Sequence, residues 1–116
     1  MLNSSDLSEL IISTLEDAKA IDITRIDVRA LTDITDRMII CHGTSDRHVS
    51  ALARQVVKAL SVAGVSASSV EGDDTGEWIL IDFNDALVHI MKREVREYYD
   101  LESLWDQRLS RSEASA

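Results

Sequence analysis

Apolar residues recur along this chain at helical spacing first and at strand spacing next. Leu7, Leu10, Ile11, Leu15 and Ala18 fall on one helical face. Asp6 can cap that helix, with Glu9 three residues on as its capping-box partner. Lys19 falls near the end that prefers positive charge. In IDITRIDV, Ile21 and Ile23 alternate with Asp22 and Thr24, then Ile26 and Val28 with Arg25 and Asp27. The apolar parity switches between Ile23 and Ile26, which predicts a strand with a bulge or an early end. ALTDITD reads as a connection with room for a helical turn. Met38 to His42 is a nearly unbroken apolar run, the pattern of a strand covered on both faces.

Gly43 breaks the chain, and Thr44 or Ser45 can cap a second helix whose face carries Val49, Leu52, Ala53, Val56, Val57 and Leu60. Gly64 ends it. A short strand around Val65 to Val70 would complete a β-α-β unit with a right-handed crossover. GDDTG is a loop. Trp78 to Asp82 and Ala86 to Ile90 flank FND as an antiparallel hairpin. Residues 92–99 fit a short helix broken near Asp100, which can cap a further turn holding Leu101, Leu104 and Trp105. Residues 110–116 have nothing to bury and are expected to be a disordered tail. The fold class expected is α/β: one domain over residues 1–109, with a mixed β-sheet and helices on both faces.

A chain of 116 residues makes one domain with a real core. Its net charge is −9. Residues 1–58 carry nine acids and seven bases, and residues 59–116 carry twelve acids and five bases. Phosphate binding needs a basic surface, so this balance argues against direct nucleic-acid contact. It suits a basic protein partner, and equally suits simple solubility. Six of the acids, Glu71, Asp73, Asp74, Glu77, Asp82 and Asp85, surround Trp78 with no basic residue among them. Cys41, the single cysteine, sits in the apolar run MIIC and reads as a small buried hydrophobe. The N-terminal residues lack the pattern of a signal peptide and nothing approaches a membrane span, so a cytoplasmic protein is expected.

The most enzyme-like stretch is GTSDRHV, between a strand and a helix, where free backbone N–H groups can hold an anion. It lacks the Gly-Lys-Ser/Thr of a nucleotide-phosphate loop and the three spaced glycines of a dinucleotide fingerprint. Plain capping by Thr44 or Ser45 is the simpler reading. Ser45 and His48 have no nucleophile elbow around them. His42, His48 and His89 lack close metal-binding spacing; His42 and His89 read as hydrogen-bonded strand histidines. Asp82 and Asp85 fit a solvated turn better than a cation site. Trp78 follows a polar loop at the start of a strand and fits either a core indole or a docking hot spot. Met91, Tyr98 and Tyr99 would extend the same apolar patch. Lys92, Arg93 and Arg96 form a small basic counterpoint, facing either solvent or acids on a partner.

Taken together, AKAIDITRIDVRALTDITDRMIICHGTSDRHVSALA, GDDTGEWILIDFNDALVHIM and REVREYYDLESLW resemble the ribosomal silencing factor, or Iojap, family over roughly residues 18–105. That resemblance implies a nucleotidyltransferase-like α/β fold without its catalysis, and no cofactor or metal. Catalytic members of that fold carry a paired-acid D-x-D motif after the Gly-Ser segment; here Asp46 has no second acid at that spacing. The resemblance further implies a homodimer when free, which binds ribosomal protein uL14 of the large subunit. The bound factor blocks joining of the small subunit and so represses translation. The partner-binding residues it implies are Trp78, Asp82, His89 and Met91, with Tyr98 and Tyr99 assigned to interface or core. Asn84 stands where many members have glycine, and asparagine also tolerates positive φ. Ala30 likewise replaces a common glycine.

Overall fold

Five strands form one mixed sheet in the order β1-β2-β5-β4-β3. The computed structural model describes residues 3–103, so Leu104, Trp105 and the expected tail at 110–116 lie outside the described residues. The elements are α1 (Ser4–Asp17), β1 (Ile21–Asp27), β2 (Arg37–Gly43), α2 (Asp46–Val62), β3 (Ser69–Glu71), β4 (Trp78–Asp82), β5 (Ala86–Lys92) and α3 (Arg93–Tyr99).

The first helix starts earlier than its apolar pattern predicts. Asn3 is the cap, its Oδ1 accepting the Asp6 N–H at 2.8 Å, so Asp6 lies within the first turn. Four consecutive residues, Asn3 to Asp6, are all good caps, and apolar period does not choose among them. The predicted face is otherwise observed: Leu7, Ile11 and Leu15 are buried. In β1 the pairing with β2 slips between Ile21 and Thr24, where Asp22 adopts φ +51°, so the parity switch marks a real irregularity.

The crossover differs from the expected local β-α-β unit. The strand after α2 is only Ser69–Glu71, fully on the surface, and it lies at the far edge, antiparallel to β4. The place beside β2 goes to β5, which pairs with it in parallel from Arg37↔Ala86 to Gly43↔Lys92. Burial explains the order. Residues Val88 to Met91 of β5 are all buried, as a central strand requires, whereas Ser69 and Glu71 are polar and suit an edge.

The two sheet faces are covered unequally. On one face α1 and α2 pack Leu7, Ile11, Leu15, Val49, Leu52, Val56 and Leu60 onto Ile39, Cys41, Ile79, Ile81, Val88 and Ile90. Fully burying such side chains stabilises by about 1.5–3 kcal/mol each, so this layer supplies most of the hydrophobic driving force. On the other face Ile26, Val28, Met38, Ile40 and Met91 form a smaller cluster. Among the described helices only short α3 reaches it, through Val95, and Leu101 follows just beyond. The expected pair of helical layers is therefore one full layer and one partial one. This leaves Trp78, Leu80 and Leu87 half-buried on the second face.

Candidate docking face

The β4–β5 hairpin assembles the site. Trp78 pairs with Met91, Leu80 with His89, and Asp82 with Leu87 across the two strands. Because side chains alternate along a strand, all six lie on the second face. The turn between them is tight: Asn84 takes φ +71°, and its N–H donates to Asp82 Oδ1 at 2.8 Å. Asparagine thus does the work of the glycine expected there.

Trp78 Nε1–H donates to His89 Nδ1 at 3.0 Å. That bond makes Nδ1 the acceptor, so a neutral His89 carries its proton on Nε2. The Nε2 atom is buried without a partner. Burial pushes the His89 pKa down to about 4, which keeps the ring neutral. The Trp78 ring also lies 4.9 Å from Tyr99, tilted by 52°, and Tyr99 lies 5.0 Å from Tyr98, edge-on. Tyr98 is 82% exposed and Tyr99 54% exposed, so both belong to the surface and not to the core of this chain.

The six residues implied as partner-binding thus share one face, at two depths. Trp78, Asp82, Tyr98 and Tyr99 reach its surface. His89 is nearly buried and Met91 fully so. As the chain folds, those two lie beneath the surface and hold Trp78 up. The six carboxylates that flank Trp78 in sequence form no ion pair among the described residues, and in space they are spread out: Asp73 lies beside α2, and Asp82 and Asp85 lie at the far end of the hairpin from Trp78.

Glycine shapes the loop that delivers Trp78. Gly72 has φ +84°, and a Cβ there would stand 1.9 Å from the Trp78 carbonyl oxygen. Only a residue without a side chain allows that approach.

GTSDRHV is a structural junction. Ser45 Oγ accepts the His48 N–H at 3.1 Å as the α2 cap. The Thr44 N–H donates to His48 Nδ1 at 3.0 Å, and His48 Nε2–H donates to the Ala18 carbonyl at 3.1 Å. His48 therefore ties the end of α1 to the start of α2, and two N–H groups an anion would need are already committed. A Cβ on Gly43 would meet His48 Nδ1 at 3.0 Å, which is why this position is small. Asp46 pairs with Lys92 at 3.0 Å.

Of the basic counterpoint, Arg93 stays on the solvated face expected for it and Lys92 is half-buried, whereas Arg96 is buried, which corrects its expected exposure to solvent or a partner. Arg93 pairs with Glu97 at 3.1 Å and Arg96 with Glu102 at 2.8 Å. Arg96 is only 8% exposed and also reaches His42 Nδ1 at 3.0 Å, so His42 is the hydrogen-bonded strand histidine its context predicts. A cleft of about 870 Å³ beside Arg96 is lined by five acids, Asp22, Glu94, Glu97, Asp100 and Glu102, against Arg93 and Arg96, each already paired with one of those acids, a balance that disfavours phosphate. Cys41 is buried, and its thiol pKa is pushed up to about 12 by burial, which makes it unreactive. Among the described residues no His, Cys, Asp or Glu group has metal-binding geometry, and no helix is long and apolar enough to cross a membrane.

These features define a small α/β adaptor domain, with one sheet face packed by α1 and α2 and the other presenting aromatic groups at its surface. The chain belongs to the family described as "Ribosomal silencing factor during starvation", whose model matches residues 2–116. It is similar to "Ribosomal silencing factor RsfS" of Haemophilus influenzae, 46% identical over 99 residues, covering 85% of this chain and 97% of that protein. A crystal structure of a Chromobacterium violaceum protein superposes with a TM-score of 0.89 at 44% identity, covering 90% of this chain and 88% of that one. One from Bacillus halodurans superposes with a TM-score of 0.80 at 32% identity, covering 87% and 94%. This membership makes the chain a non-catalytic regulator of translation.

Proposed function

We propose that this protein docks its second sheet face on ribosomal protein uL14 of the large subunit and thereby keeps the small subunit from joining. The observation that carries this reading is the aromatic row running from half-buried Trp78 to exposed Tyr99 and Tyr98, on the face that, among the described helices, only short α3 covers. An aromatic anchor ringed by polar groups is the usual centre of a protein interface. The unpaired carboxylates from Glu71 to Asp85 would steer a basic partner toward it. Trp78, Asp82, Tyr98 and Tyr99 make the contacts in this reading, and His89 and Met91 support them from below. The site of action is the cytoplasm, and the mechanism is exclusion. The sheet serves as a nucleotidyltransferase-like scaffold whose chemistry is absent.

Co-sedimentation with separated small and large subunits, followed by a joining assay, tests the proposal. It expects pelleting with large subunits alone and a dose-dependent loss of joined particles. Pelleting without loss of joining would remove the exclusion mechanism, and no pelleting would remove the docking itself.

A further inference from the structure

We infer that Arg96 is a positioning residue for the docking face, setting α3 so that Tyr99 meets Trp78. This rests on the docking reading above. The helix has seven residues, and its N-cap, Lys92, makes no side-chain cap bond. Two turns are too short to hold a pose without tertiary contacts. Apolar contact comes from Val95, with Leu101 just beyond the helix. Arg96 supplies the directional part.

Its guanidinium fork reaches four groups on three parts of the chain. Nη1 donates to the Ile21 carbonyl at 3.3 Å and to His42 Nδ1 at 3.0 Å; Nη2 donates to Thr24 Oγ1 at 3.2 Å; Nε donates to Glu102 at 2.8 Å. The helix is thus tied to β1, to β2 and to the turn that follows it. A planar fork with fixed donor directions constrains orientation, which a single ammonium cannot do. An arginine always carries its protons, so His42 must present a bare Nδ1, and the ring is neutral. Three and two residues after Arg96 stand Tyr99 and Tyr98, the exposed end of the aromatic row. A rotation of α3 moves them relative to Trp78, which the hairpin and His89 hold independently.

The test substitutes Arg96→Lys, which keeps the charge and loses the fork. The first readout is the Trp78 indole N–H resonance in ¹⁵N-labelled protein, which senses the Tyr99 ring and needs no partner. The expected result is a shift toward the position seen in Tyr99→Ala, with the resonances of the α1–α2 layer unmoved. An indole resonance that stays at its wild-type position in folded Arg96→Lys would overturn the inference. The second readout is binding to large subunits. Arg96→Lys should weaken it about tenfold in the wild-type background and less than about twofold when Tyr98 and Tyr99 are already alanine, because the two changes remove one interaction. Equal losses in both backgrounds would mean a general structural role and would overturn it too. If Arg96→Lys does not fold, Thr24→Val removes only the Nη2 acceptor and should move the indole resonance in the same direction by less; no movement would again overturn the inference. Wild-type protein that fails to bind large subunits would sink the docking reading, while the indole readout would still decide whether Arg96 sets α3.

Discussion

Trp78 donates its indole N–H to His89 Nδ1 at 3.0 Å, across the β4–β5 hairpin. The bond fixes which way the indole faces and which nitrogen of the histidine carries the proton. It also separates two contributions of one residue: the part of the ring left at the surface, and the hydrogen bond that orients it.

Trp78→Ala should weaken binding to large subunits by about 2 kcal/mol or more, roughly thirtyfold, if the indole is the anchor of the face. Trp78→Phe keeps an aromatic ring but leaves His89 Nδ1 without a donor, so it should lower stability by about 1 kcal/mol. Affinity measured by co-sedimentation and stability by urea unfolding would read the two effects apart. Unchanged affinity in a folded Trp78→Ala variant would take Trp78 out of the interface.

Stability should fall as pH drops below the ordinary histidine range. The His89 pKa in the folded chain is about 4, against 6.5 for an unburied ring. Between those values the unfolded chain binds a proton that the folded chain refuses, so stability rises with pH across that window and is flat above it. The slope is at most about 1.4 kcal/mol per pH unit, or roughly 3 kcal/mol in all. Burial and the nearby Arg96 lower the His42 pKa as well, which adds to the loss in the same direction. Asp27 acts in a lower window. Its bond to Arg29 holds its pKa near 2, so its contribution fades only as pH falls below the ordinary 3.8. Urea unfolding of wild type and His89→Gln from pH 7.5 to 4.5 checks this, and equal slopes in the two proteins would refute the assignment to His89.

Gly72→Ala should be far more damaging than Gly64→Ala, although both glycines have positive φ. At Gly64 nothing lies within 4 Å of an added Cβ, so the cost is the left-handed penalty alone, about 1–2 kcal/mol. At Gly72 the Cβ would collide with the Trp78 carbonyl oxygen, 1.9 Å away. The loop or Trp78 must then move, at a cost above about 3 kcal/mol. Thermal melts of the two variants give the comparison, and similar losses would contradict the close approach.

Docking should weaken as salt rises, because the chain carries a net charge of −9 and six of its acids flank Trp78 in sequence. Steering acts mainly on the rate of encounter, so the association rate should fall while dissociation changes little. Asp74→Lys with Glu77→Lys should slow association further and flatten its salt dependence. Stopped-flow association across a salt series would show both, and a rate indifferent to salt would exclude charge steering.

The elements and the inward faces of the helices were legible from local pattern. Val49, Leu52, Val56 and Leu60 recur with helical period and are buried; the hairpin around FND forms where the alternation and the Asn84 turn place it. Even the irregularity in β1 was written in the parity of Ile23 and Ile26. The helix start was not legible, because several adjacent polar residues cap equally well. The burial of Arg96 was not legible either. Its acceptors Ile21 and Thr24 lie 75 and 72 residues away, and no local signal marks such a pairing.

Sequence by itself determined most of the secondary structure, the acidic balance and the family, since each depends on residue type and near neighbours. Tertiary structure alone decided that β5 sits beside β2 and that α1 and α2 share one face of the sheet. It also decided that Trp78, His89 and Tyr99 meet on the other. Those outcomes depend on which surfaces bury each other across long stretches of chain, and strand order is chosen by that burial and not by local periodicity.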